Sequence, residues 1–117
     1  MKQLFAPLLC LAAAQVMAAP PEVVGAQATR TGENWRFSVT LAHPDTGWDH
    51  YADGWRVETE DGTVLGTRVL AHPHVNEQPF TRSLSGVTVP AGTVRVYIRA
   101  RCSVYDWYGE TVQLELD

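Results

Sequence analysis

Apolar and polar residues alternate with a period of two along nearly the whole chain, and no stretch carries a sustained helical period. In "VVGAQATR" Val24, Ala26 and Ala28 fall on one face, which predicts a first strand over about 22–30. A "TGEN" turn leads to a second, where Trp35, Phe37, Val39 and Leu41 alternate with Arg36, Ser38 and Thr40. The third, "WRVETE", turns Trp55, Val57 and Thr59 inward and ends at Asp61-Gly62, the strongest short hairpin signal in the sequence. A fourth strand is expected over 63–71, a fifth over 80–89, a sixth over 93–104 and a seventh over 111–116. Seven short, evenly spaced antiparallel strands predict a sandwich of two sheets.

The first eighteen residues stand apart from this pattern. "MKQLFAPLLCLAAAQVMA" has a charged start, an apolar run and small residues before a cut expected after Ala18, as in a secretory signal peptide. The run is too short and alanine-rich for a membrane span. Residues 19–117 are then one β-sandwich domain, periplasmic or secreted, long enough for one core. Without Lys2 the domain holds eight arginines against thirteen carboxylates, a net charge of about −5. Such a surface argues against nucleic acid or an anionic membrane as partner, and the absence of lysine excludes Schiff-base chemistry.

One cysteine remains, so no internal disulfide can form. In "VRVYIRARCSV" the positions Val94, Val96, Ile98, Ala100, Cys102 and Val104 share one apolar face, opposite Arg95, Tyr97, Arg99 and Arg101. Cys102 is therefore expected to be buried and structural.

The segment "SLSGVTVPAGTVRVYIRA", residues 83–100, resembles the fifth-to-sixth strand region of fibronectin type III and related immunoglobulin-like domains. Those domains carry a leucine, a glycine, a turn and then alternating apolar residues ending in alanine. They commonly open the sixth strand with a tyrosine, where this chain has Val94. The resemblance implies a seven-stranded antiparallel immunoglobulin-like sandwich and no particular activity. The segments "GWDHYAD" and "HPH…EQPFTRSLSG" are also similar to those of small uncharacterised exported bacterial proteins.

In such a sandwich successive connections alternate between two poles. "TGEN", "EDG" and "PAG" fall at one; "HPDTGWDHYADG", "HPHVNEQP" and "YDWYGE" fall at the other, with all four histidines. Two chemistries compete there. His72-x-His74, with His43 or His50 and with Asp49 as an oxygen ligand or an imidazole-orienting acceptor, suits zinc or copper. Trp48, Tyr51, Trp107 and Tyr108 suit stacking on a glycan or anchoring an envelope protein. Both histidine-proline pairs also serve simply as strand exits. The run from Asp49 matches a calcium loop at Asp53, Gly54 and Glu60, but Tyr51 occupies its third position and strands, not helices, flank it, so the match reads as chance. With no nucleophile elbow, phosphate loop or zinc-protease motif, the sequence predicts a non-enzymatic binding or accessory module.

Overall fold

A computed structural model describes residues 19–117, so the expected signal peptide lies outside the described residues. Eight strands form: β1 (Glu22–Thr31), β2 (Asn34–Ala42), β3 (Ala52–Glu58), β4 (Val64–Val69), β5 (Phe80–Val87), β6 (Arg95–Cys102), β7 (Asp106–Trp107) and β8 (Val112–Glu115). All pairings are antiparallel. One sheet has the order β1-β2-β5; the other has the order β4-β3-β6, and both β7 and β8 pair with β6. Among the described residues there is no helix, hence none long and apolar enough to cross a membrane.

The additional strand arises in the sixth connection. Strand β6 ends at Cys102, short of the expected 104, because Asp106 takes a left-handed backbone (φ 65°). Aspartate tolerates that conformation better than most residues. The chain thereby folds back, and Asp106 and Trp107 pair with Cys102 and Arg101.

Three inward phases differ from the alternation. On the face of Cys102, Val94 is 56% exposed before β6 begins and Val104 is 48% exposed after it ends, because the alternation holds only within the strand. A register shift at Val23/Gly25 bulges β1, so Val23 packs on the core with Ala26 and Ala28 while Val24 is 48% exposed. An extra residue in one strand reverses the phase beyond it, which a strict period of two does not reveal. Thr59 lies beyond the end of β3, in the turn, where its backbone exchanges hydrogen bonds with Thr63 and Gly62.

The inner faces otherwise follow the pattern. Phe37, Val39 and Leu41 of β2 meet Trp55 and Val57 of β3 and Val96, Ile98 and Ala100 of β6, all buried, with Trp35 closing one end. Gly66 lets the sheets approach at one side: a β-carbon there would stand 3.0 Å from Leu84 Cδ2. The connections after β1, β3 and β5 lie at one end, and those after β2 (43–51) and β4 (70–79) gather at the other with the short turn 103–105 between β6 and β7.

On the outer face of the larger sheet Glu58 is almost fully covered. Its Oε2 accepts from Arg56 Nε at 2.6 Å and Arg99 Nε at 2.7 Å, and its Oε1 accepts from Arg99 Nη2 at 3.1 Å. These bonds, led by that from Arg99, hold its carboxyl below the ordinary glutamate range despite burial. A depressed pKa stabilises the fold above the unfolded-state value, and that stabilisation is lost as pH falls through the folded-state value. Glu58→Gln should cost about 3 kcal/mol at neutral pH by leaving two guanidinium groups poorly matched. Urea titrations should show that deficit narrowing in acid, below the ordinary glutamate range.

Candidate functional site

Strand phase delivers the first histidine. Odd positions of β2 face inward, and His43, one step past its end, keeps the phase of Leu41 and is 3% exposed. Pro44 then stops the strand by removing a backbone donor. The chain turns so that the Asp45 N–H donates to the His43 carbonyl at 2.8 Å, and the Asp45 side chain follows His43 into the interior.

Asp45 is the hub of this end. Its Oδ1 lies 2.6 Å from His43 Nδ1 and accepts from the Ala52 N–H at 2.9 Å. Its Oδ2 accepts from the His74 N–H at 2.8 Å, twenty-nine residues away. With Nδ1 engaged by the Asp45 carboxylate, Nε2 is the ring nitrogen of His43 left over. That Nε2 is buried and has no hydrogen-bond partner among the described residues. Gln78 adds a second tie between the loops: its Oε1 accepts from the His43 N–H at 3.0 Å, and its Nε2 donates to the His74 carbonyl at 2.8 Å.

A tight turn returns His50 to His43. The Thr46 N–H donates to the His50 carbonyl at 3.0 Å and the His50 N–H to the Gly47 carbonyl at 3.2 Å. The imidazoles meet edge to face, with centroids 4.9 Å apart. From β6, Cys102 is buried on the face of Ile98 and Ala100, as its phase predicts. Its Sγ also stands 3.6 Å from His50 Nε2 and accepts from the Tyr105 N–H at 3.3 Å. The Tyr105 ring packs edge-on against His50, with centroids 5.7 Å apart. His43, His50 and Cys102 thus offer two imidazole nitrogens and one sulfur, all within 4.8 Å of one another.

The other expected ligands are placed differently. His74 is buried and stacks on Phe80 at 3.9 Å; its Nε2 accepts from Arg82 Nη2 at 2.9 Å. Burial, then the Arg82 charge, holds its pKa below the ordinary histidine value. An imidazole nitrogen already bound to a guanidinium proton does not offer that lone pair to a metal. His72 is exposed beside it, with ring centroids 4.7 Å apart and Nδ1 donating to the Pro73 carbonyl at 3.1 Å. Asp49 is exposed and accepts from Thr46 Oγ1 at 3.4 Å. None of these three joins the group of His43, His50 and Cys102.

Of the four expected contact aromatics, Tyr51 and Trp107 line one groove, and Trp107 and Tyr108 line another. Trp48 is 68% exposed and braces Tyr51 edge-on at 5.6 Å, so it does not plug the sandwich. Trp107 lies under Arg56, whose guanidinium carbon is 4.0 Å from the ring centroid. Tyr108 is half-buried; its N–H donates to the Ala100 carbonyl at 2.8 Å, and its own carbonyl accepts from Arg99 at 2.7 Å.

Asp45 and the sulfur's position beside His50 escaped the sequence reading. One usable signal was present. The inward phases of β2 and β6, extended to His43 and Cys102, end at the same pole on facing sheets. Nothing local marks Asp45, because its partners lie on three separate segments.

No family model matches the chain. It is similar to a protein of Halomicrobium mukohataei named "Putative lipoprotein", 42% identical over 86 residues that make up 74% of this chain and 42% of that protein. The chain therefore spans less than half the length of that relative. Its fold is similar to the crystal structure of a hypothetical protein from Pyrococcus horikoshii OT3, with a TM-score of 0.54 and 14% identity, covering 91% of this chain and 93% of that one. At that identity the likeness concerns the fold alone.

Asp45→Ala should cost about 3 kcal/mol or more, since it strands two buried amide donors and an imidazole N–H at once. Denaturant unfolding measures the loss. Amide spectra should show the largest perturbations at Ala52 and His74, with strands β4 and β8 little changed.

Proposed function

We propose that this chain is an exported, non-enzymatic metal-binding module of immunoglobulin-like fold, holding zinc or copper through His43, His50 and Cys102. The observation that carries the reading is His43 Nε2, a buried nitrogen without a partner, on an imidazole that a buried carboxylate orients and that groups with a second imidazole and a thiol. Metal-bound histidines commonly donate their other ring nitrogen to a carboxylate in this way.

The distances suit the proposal after a small closure. Donors bound at about 2.0–2.3 Å to one ion lie roughly 3.3–3.6 Å apart. His50 Nε2 and Cys102 Sγ already stand 3.6 Å apart, and the widest separation in the group does not exceed 4.8 Å. A closure of about 1 Å at the widest pair would bring all three donors to coordination distance. A thiolate with two imidazoles suits copper(I) as a three-donor site; zinc would take a fourth ligand such as water.

The envelope assignment rests on the expected leader and on the name of the Halomicrobium relative. Periplasm or secretion, with an envelope protein or glycan as partner, follows as part of the same proposal.

Untagged protein should bind about one equivalent of copper(I) or zinc. At a hundredfold excess over Kd, bound metal stabilises the fold by about 2.7 kcal/mol. Because binding displaces protons from the thiol and any protonated imidazole, the rise in Tm at pH 7.5 should shrink strongly at pH 5. Cys102→Ser and His50→Ala should abolish that rise, and Asp45→Asn should weaken affinity about 10–100-fold. His72→Ala should leave it intact. Absence of bound metal and of any Tm shift in the untagged protein would refute the proposal; loss of the shift in His72→Ala but not in Cys102→Ser would move the site to the second histidine pair.

A further inference from the structure

The outer face of the larger sheet carries a groove that the metal reading does not use. It has a volume of about 480 Å³, within the range typical of small-ligand sites, and Tyr51, Asp53, Gly54, Val69, Arg101 and Trp107 are among its lining residues. We propose that this groove is a binding subsite for a neutral sugar residue of an extracellular or envelope glycan.

Two aromatic rings border the groove, and each is held before any ligand arrives. Arg56 stacks on Trp107 at 4.0 Å, and Trp48 packs edge-on against Tyr51 at 5.6 Å. Fixing the rings in advance lowers the entropy lost on binding. Gly54 makes the hollow: a β-carbon there would stand 3.3 Å from the Arg68 carbonyl and 3.9 Å from Trp107 Cη2. Any larger side chain would therefore fill the space beneath the indole.

Polar groups of both kinds lie beside the rings. Arg101 Nη1 donates to Asp53 Oδ2 at 2.8 Å, and Nη2 donates to Asp106 Oδ1 at 2.7 Å. Asp53 Oδ1 is buried with no partner among the described residues, so this carboxylate retains unused acceptor capacity. Burial pushes its carboxyl above the ordinary aspartate range, against the pull of Arg101. Two carboxylates sharing one guanidinium place acceptors and donors side by side at the groove. Neighbouring hydroxyls of a sugar both donate and accept, and the weakly polarised C–H face of its ring suits an aromatic wall.

Isothermal titration and tryptophan fluorescence with maltotriose, chitotriose and mannotriose test the proposal. At least one should bind saturably with Kd of about 1 mM or tighter. Trp107→Ala should weaken that binding roughly tenfold or more. Val69→Arg, at a position 70% exposed, should block the groove and remove binding without lowering Tm. Metal uptake by Val69→Arg should match that of the unmodified chain, which keeps this proposal separate from the metal reading. No saturable response to any of the three sugars overturns it. So does undiminished binding by Val69→Arg, or saturation by a proline-rich peptide alone.

Discussion

A single buried carboxylate organises the loop-rich end of this sandwich. Asp45 accepts from the His43 imidazole, the Ala52 amide and the His74 amide, drawing together the end of β2, the start of β3 and the β4–β5 connection. A buried carboxylate is costly unless its lone pairs are matched, so its three donors must be present together. The same tie engages His43 through Nδ1. The free Nε2 of His43 is thus a consequence of how the loops are tied, and chemistry at the pole inherits its geometry from that tie.

The pole and the outer sheet face solve the problem of polar burial differently. At the pole, imidazoles occupy the interior: His43 against Asp45, and His74 between Phe80 and Arg82. On the outer face, full charges are matched in chains, Arg56–Glu58–Arg99 and Asp53–Arg101–Asp106, with Trp107 laid against Arg56. The first arrangement leaves His43 Nε2 without a partner among the described residues; the second leaves a rigid, polar-edged groove. Residues of β3 and β6 contribute to both, so one strand pair supports a buried site on one side and an open one on the other.

Much of the fold was legible in the sequence because a half-buried strand repeats every two residues. Trp35, Phe37, Val39 and Leu41, then Val96, Ile98, Ala100 and Cys102, face inward as their alternation requires. The sequence also predicted the approach of the two histidine segments, since connections of an antiparallel sandwich alternate between its ends. The bulge at Val23/Gly25 and the short strand β7 were not legible. Each depends on a backbone irregularity that leaves the hydrophobic period of its neighbours unchanged.

The amino-acid sequence by itself determined the strand phases, the inward placement of Cys102 and the choice of pole for the histidines, because these follow from periodicity and chain reversal. Only the tertiary structure decided which histidines meet the thiol. His72 and His74 look like the better ligand pair along the chain, yet Phe80 and Arg82 engage His74, and His72 remains at the surface. His43, His50 and Cys102 come together because the ends of β2 and β6 face each other and Asp45 holds the first imidazole in place. Those contacts join residues up to 59 positions apart along the numbered chain, beyond the reach of any local pattern.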